Sequence, residues 1–324
     1  MTISTPGGHV LVAGSANADF VVRAAHIPAP GETVMGGDLS IVPGGKGANQ
    51  AVAAARAGGC RTTMLLALGD DASAAILKRS LSDAGVEARV VRSDRATGAA
   101  LITVSDTAEN AITVAPGANA TLLPEHLPDL AGIDWIVLQL ETSIGTVTAY
   151  AQAARAAGVK VMLNVAPAQA VPDALLSAVD VLVANEEELA VLVGSDGSIL
   201  DRLSRLPVPL GIVTLGARGS CALAGGDAIF QPAFRVQAID TTAAGDTFCG
   251  ALAAALAQGA AAADALRSAS AAAALATTAA GAQSSIPTQA DVARLLAESG
   301  NDFKSDDALA TYCRAAPAPD RVSR

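Results

Sequence analysis

The sequence predicts an α/β fold: a mostly parallel sheet flanked by helices, with a small second β-sheet. Two observations carry this. From about residue 135 onward, near-continuous apolar runs alternate with helical stretches, the pattern of strands buried on both faces and joined by βαβ crossovers. Two further β-type stretches, at about 32–42 and 97–115, stand outside that alternation. They predict a separate small sheet, a lid over the site.

Each element follows in order. "HVLVAGSANADFVV" opens as a strand of β-branched residues with a Gly-Ser turn, and "ETVMGGDLSIV" is strand-like but interrupted by glycine. "PGGKGANQAVAAARAGG" is a glycine loop entering an Ala-rich helix that stops at Gly58 and Gly59. "TTMLLALG" is a buried strand, followed by a helix from about Asp71 to Ala84. "TGAALITVSDTAENAITVA" is a hairpin around a polar turn. Then come strands "WIVLQLE", "KVMLNVA", "VLVAN" and "LGIVTLG", separated by helices. A hairpin at "GARGSCALAGG" and long helices from Asp246 complete the order. Residues 1–298 are expected as one domain. The segment 299–324, polar and without periodicity, is expected as a loosely ordered tail.

Composition narrows the function. Hydrophobic residues make up 51% of the 324 but aromatics only 2%, so the core must be packed with Ala, Val, Leu and Ile. The formal charge is -10 and no Lys/Arg run occurs, which argues against nucleic acid and anionic membrane as partners. Such a chain binds phosphate through backbone amides and one or two placed bases. Four scattered cysteines without a C-x-x-C pair fit a reduced cytoplasmic protein. The N-terminus lacks the basic and apolar regions of a signal peptide, and the Ala-rich stretch 250–281 is interrupted by Gln258, Asp264 and Arg267.

Several chemistries are absent. Gly45-Lys46 is followed by Gly47 rather than Ser or Thr, so no phosphate loop of the Walker type exists. There is no G-x-G-x-x-G and no G-x-S-x-G, and three histidines form no constellation.

What remains is a set of short polar motifs. In "DTTAAGDTF", Ala243, Ala244 and Gly245 lead to Asp246 at a helix start, with no base nearby in sequence. Small residues admit a ligand to the backbone, and the helix N-terminus favours an anion. Asp246 there is a helix-stabilising acid or a general base. "PGGKGANQ" puts Gly45, Lys46, Gly47, Ala48 and Asn49 at a second helix entry, either a ligand loop or a flexible turn with a solvated lysine. Asn17 and Asp19, flanking Ala18, can fork onto vicinal sugar hydroxyls or make an ordinary turn. Glu141, Asn185 and Glu188 end buried strands, where acids can hold a hydrated magnesium ion or cap a helix. "TLGARG" offers Thr214, Leu215, Gly216, Ala217, Arg218 and Gly219 to nucleotide phosphates, or forms a simple hairpin turn.

Taken together, "GSANADFVV", "PGETVMGG", "PGGKGANQAVAAARAG", "LGDD", "GANA", "NVAPA", "TLGARG", "DTTAAGDTFCGAL" and "GAQSSIP" resemble the ribokinase-like, or phosphofructokinase B, carbohydrate kinases across roughly residues 9–290. The resemblance implies a Rossmann-like domain with a β-sheet lid, a homodimer formed through that lid, and transfer of the ATP γ-phosphoryl group to the 5-hydroxyl of ribose. It implies Asp246 as base, with Ala243 to Asp246 forming the anion hole. Asn17, Asp19, Gly45, Lys46, Asn49 and Glu141 would hold the sugar. Asn185, Thr214 and Gly216 to Gly219 would lie along the nucleotide, and Ser270 falls where a residue near adenine is expected. Glu188 would organise magnesium through water. A potassium site would use Asp240, Thr242, Ala276, Ala279, Gly281 and Ser285, mostly through main-chain carbonyls. Met35 near the sugar mouth and the aromatic-poor lid leave deoxyribose or another small sugar open, as a deoxyribokinase, fructokinase or nucleoside kinase of the same family would take. A non-catalytic sugar sensor is the alternative of a different class; intact Asp246 and Lys46 argue against it.

Overall fold

A computed structural model describes residues 7–107, 109–299 and 307–315. Strands and helices are numbered in chain order. The main sheet contains β1 (His9–Ala13), β4 (Arg61–Leu68), β5 (Glu87–Arg92), β8 (Trp135–Leu138), β9 (Lys160–Asn164), β10 (Val181–Asn185), β11 (Leu210–Thr214), β12 (Gly219–Ala224) and β13 (Asp227–Pro232). Their spatial order is β13-β12-β11-β10-β9-β8-β1-β4-β5. The seven strands from β11 to β5 are parallel, and the predicted 216–226 hairpin adds β12 and β13 antiparallel at one edge.

Alternate residues of β1 enter different cores, as a period of two requires. Val10 and Val12 pack under α1 (Lys46–Arg56), α2 (Ala72–Asp83), α7 (Ala244–Ala257), α8 (Ala262–Ala276) and α9 (Gln289–Glu298). Leu11 and Ala13 join the core beneath α3 (Ile144–Ala156), α4 (Asp173–Leu176), α5 (Glu186–Val193), α6 (Ile199–Leu203) and α10 (Asp307–Arg314).

The alanine bias has a structural consequence that composition alone did not reveal. A Cβ on Gly250 of α7 would lie 2.3 Å from the Gln50 carbonyl oxygen and 2.6 Å from the Ala53 Cβ of α1. Glycine and alanine therefore let α1 and α7 approach more closely than larger side chains allow. That approach brings the two motif-bearing helix starts together.

The lid is a four-stranded sheet, β3-β2-β6-β7, with β2 (Asn17–Ala24), β3 (Ser40–Gly44), β6 (Gly98–Ser105) and β7 (Asn110–Ala115). The predicted 97–115 hairpin is present. The opening apolar run, however, divides between two sheets: its first half is β1, and its second half is the central lid strand, so Asn17 and Asp19 lie on a lid strand rather than in a turn. The strand expected at 32–42 begins only at Ser40. Pairing with β2 runs from Val21↔Ser40 to Asn17↔Gly44, and upstream of it a single bridge, Ala24↔Gly36, continues the contact.

The expected loose tail needs correction within the described residues. Leu309 and Cys313, one turn apart, put an apolar stripe on α10 that is buried in the second core. The remainder of that segment, 300–306 and 316–324, lies outside the described residues. No described helix is long and apolar enough to cross a membrane.

Candidate active site

From β1 the chain proceeds outward through β4 and β5 on one side, and through β8 to β11 on the other. A crevice opens where such a sheet reverses, beyond the carboxyl ends of the strands. Asp246 meets this crevice from the first turn of α7. Its Oδ2 accepts from Asn49 Nδ2 at 2.9 Å, and its Oδ1 from Gln50 Nε2 at 3.0 Å. Gln50 Nε2 also donates to Asn164 Oδ1 at 3.1 Å, and Gln139 Nε2 donates to Gln50 Oε1 at 2.6 Å. The acid that stands without a base in sequence is thus held in place by two side-chain amides of α1, of which Gln50 is itself anchored at the ends of β8 and β9.

The backbone just before Asp246 is unusual. Ala243 adopts φ 57, ψ 11, the one left-handed non-glycine residue among those described; for alanine this costs roughly 1 kcal/mol. The turn leaves the first amides of α7 without intrahelical acceptors. A Cβ on Gly245 would meet no atom within 4 Å, so the space before the helix end is open. Open backbone donors at the positive end of a dipole form an anion site.

Acidic groups surround this point. Asp19 is buried, and burial together with the nearby Glu141 and Asp246 carboxylates pushes its pKa up to about 7. Glu141 accepts from the Ser15 hydroxyl at 2.5 Å and the Lys46 amide at 3.2 Å. Burial alone would lower the Lys46 ammonium; the carboxylates of Asp246, Glu141 and Glu188 together hold it above its ordinary value. Lys46 is therefore held as an ammonium among these carboxylates. Gly45, at φ 89, makes the turn into α1, where a Cβ would lie 2.6 Å from the Asn17 nitrogen.

Asn17 lies beside the basin and accepts from Asn119 Nδ2 at 2.7 Å, while Asn119 Oδ1 takes the Ala16 amide. Asn49 Oδ1 is buried with no hydrogen-bond partner, an acceptor that a sugar hydroxyl would satisfy. Ala18, Gly47 and Ala48 are buried. The Gly47 and Ala48 amides donate to Ser15, so these two are scaffold for the loop.

On the other side of the α7 N-terminus lies a cavity of about 480 Å³. Of the residues expected along a nucleotide or its anion hole, Thr214, Gly216, Ala217, Gly219, Ala244, Gly245 and Ser270 line it. Its apolar walls are Phe234, Val236, Phe248, Ala273 and Ala274, which no sequence signal singled out. Three expected nucleotide residues stand elsewhere. Leu215 is buried beneath the turn. Arg218 stacks on Tyr312, 4.4 Å from the ring centroid. Asn185 caps α5: its Oδ1 takes the Glu188 amide at 2.8 Å, and Glu188 Oε2 takes the Asn185 amide at 2.7 Å. Glu188 thus makes the capping box with one oxygen. Burial pushes its carboxyl up, and Lys46 and Asp246 are close enough to act on it.

The predicted cation loops are adjacent. Asp240 Oδ2 accepts from the Gly281 amide at 2.9 Å, and Oδ1 from the Thr242 amide and hydroxyl. Burial alone would raise the Asp240 carboxyl, but these donors outweigh it and hold it low. The amides of Ile239 and Asp240 reach the Thr277 carbonyl, just past Ala276. Ser285 Oγ bonds to the Ala282 carbonyl. No three His, Cys, Asp or Glu side chains cluster as a metal site among the described residues, so any ion here relies on carbonyls, water or ligand oxygens.

Ser15, Gln50, Asn119, Gln139 and Asn164 were missed by motif reasoning as site residues. Their signal was faint: a polar residue in an otherwise apolar buried run, as in "LQLE" and "LNVA".

Comparison with known proteins places this geometry. Residues 8–289 match the pfkB family of carbohydrate kinases. The chain is 39% identical over 300 residues to a ribokinase of Haemophilus influenzae, covering 88% of this chain and 97% of that one. It is 36% identical over 293 residues to a deoxyribokinase of Salmonella typhi, covering 86% and 95%. Among solved structures, Arabidopsis thaliana ribokinase complexed with ribose and ATP superposes with a TM-score of 0.82 at 32% identity, covering 89% of this chain and 98% of that one. The family match, the parallel sheet with its lid and the carboxylate at the α7 N-terminus agree, and the chain belongs to the pfkB family of carbohydrate kinases.

Proposed function

We propose that the protein is an ATP-dependent ribokinase, converting D-ribose and ATP to ribose 5-phosphate and ADP. The observation that carries this is Asp246: one carboxylate, at an open anion-binding helix end, stands between an acidic polar basin and a 480 Å³ cavity. The basin suits a polyhydroxylated sugar, whose hydroxyls donate to Asp19 and to the unpartnered Asn49 Oδ1. The cavity suits the nucleotide, with apolar walls for a base and the Gly216–Gly219 turn for phosphates.

In this reading Asp246 accepts the proton of the ribose 5-hydroxyl as its oxygen forms a bond to the γ-phosphorus. The bond from that phosphorus to the bridging oxygen breaks, and its electron pair leaves with ADP. The first-turn amides of α7 and the Lys46 ammonium stabilise charge on the transferring group. Transfer of this kind depends mainly on positioning, which the Asn49 and Gln50 amides supply to the base. Magnesium would neutralise phosphate charge, with the Glu188 oxygen outside the capping box holding its waters. A monovalent cation such as potassium would sit among carbonyls of the 240–242 and 276–285 loops. Residues 1–298 would form the kinase domain of a cytoplasmic enzyme.

The test is ADP release with magnesium and ATP over ribose, deoxyribose, fructose and adenosine, with and without potassium. Ribose-dependent turnover raised by potassium is expected. A preference for another substrate would move the specificity, and sugar binding without turnover on any of them would return the sensor reading.

The lid supports a homodimer. Ile41, Leu101, Ile112 and Val114 are exposed on it, and Met35 and Leu39 on the segment leading into β3, more apolar surface than a solvated sheet needs. Leu101→Asp is expected to convert a dimer to a monomer in light scattering; a variant still dimeric would exclude the lid as the interface.

A further inference from the structure

The helix α10 lies beyond the 8–289 stretch matched to the family, packs against α6 and β13, and reaches the turn whose far side lines the cavity. Leu309 and Cys313 anchor it in the second core. Arg314 lies 5.1 Å from the Phe230 ring centroid on β13. Tyr312 makes two contacts of a different kind. Its ring carries the Arg218 guanidinium at 4.4 Å, and its hydroxyl donates to Glu186 Oε1 at 2.7 Å.

Those two partners matter by position. Arg218 closes the turn Gly216–Arg218, whose Gly216 and Ala217 line the cavity. The turn is closed by backbone bonds, Arg218 N–H to the Leu215 carbonyl at 3.1 Å and Leu215 N–H to the Gly219 carbonyl at 2.8 Å, with Gly216 at φ +56 and Gly219 at φ +111; the Arg218 side chain links it to α10. Glu186 is the first residue of α5, beside the capping box of Asn185 and Glu188. One side chain therefore ties together the segments that follow β10 and β11, both at the carboxyl edge of the sheet.

We propose that α10 positions the nucleotide-binding turn, with Tyr312 holding Arg218 so that the Gly216–Ala217 backbone keeps its place on the cavity wall. Tyr312 is a positioning residue and touches no substrate. The proposal rests on the nucleotide reading of the cavity and adds to it a part from outside the family match.

The measurement is ADP affinity of the full-length protein by calorimetry. Tyr312→Leu keeps apolar bulk in place but removes the aromatic face and the hydroxyl. A cation–π contact at a partly exposed site predicts about fivefold weaker ADP binding. Tyr312→Phe, which keeps the ring, should stay within about twofold. Arg218→Ala should weaken binding in the same sense, and the double variant should be no weaker than Arg218→Ala alone. The KM for ribose should not move. Unchanged or tighter ADP binding by a folded Tyr312→Leu overturns the proposal, as do additive effects in the double variant or an equal loss of ribose affinity. If the wild-type protein binds no ADP, the kinase reading itself fails and this inference falls with it.

Discussion

Asp246→Asn is expected to reduce kcat about 10³-fold, the loss typical of removing a positioned general base, while ribose affinity falls only by about tenfold, the cost of one sugar hydrogen bond to Asn49 Oδ1. The two wild-type carboxylate oxygens each accept from an amide, Asn49 Nδ2 and Gln50 Nε2. An asparagine at 246 presents one NH₂ group to a donor. Gln50 cannot turn over cheaply, because its Oε1 already takes Gln139 Nε2. Asn49 can, because its Oδ1 has no partner to lose. The new amide should therefore face Asn49, which flips to accept from it, and the stability cost should stay near 1 kcal/mol. Turnover by ADP release and ribose binding by calorimetry separate the two effects. Activity within about tenfold of wild type would remove Asp246 from the role of base.

Asp19→Asn should weaken ribose binding and stabilise the unliganded protein. Burial and the Glu141 and Asp246 carboxylates hold the Asp19 pKa at about 7, above its ordinary 3.8. A carboxyl raised in the folded state destabilises that state once it ionises. The penalty is absent below the unfolded value, grows through the interval between 3.8 and about 7, and is complete above it. The difference between 3.8 and about 7 corresponds to roughly 4 kcal/mol. The variant should thus melt higher than wild type at pH 8 and the difference should vanish near pH 4. Ribose binding should show the opposite preference. The ionised carboxylate is the better acceptor for sugar hydroxyls, so the wild-type KM should rise as pH falls below about 7. Loss of charged hydrogen bonds predicts a KM increase of about 10- to 100-fold for Asp19→Asn at pH 8, with a flatter pH profile. A variant whose KM still climbs below pH 7 would show that another group controls sugar binding.

The two effects oppose one another at a single residue. Asp19, Glu141 and Asp246 share the basin with the Lys46 ammonium, an arrangement poor for the unliganded fold and, in the ribokinase reading, suited to a sugar that donates hydroxyl protons.

Much of this was legible in the sequence. Alternation of apolar runs with helices identified the parallel sheet, because strands buried on both faces cannot be polar on alternate residues. "DTTAAGDTF" announced an open helix start beside an acid, because small residues before an acid leave backbone donors uncovered. Those are local properties, set by residues adjacent in the chain. Tertiary structure decided what depends on distant partners. Asn49 and Gln50 lie almost 200 positions before Asp246 in sequence and meet it because Gly250 lets α7 settle against α1. The division of 9–22 between two sheets depended on which strands were available to pair with each half. Arg218 was drawn as a phosphate ligand from its motif, but the tertiary fold gives it Tyr312, on a helix too short for periodicity to reveal.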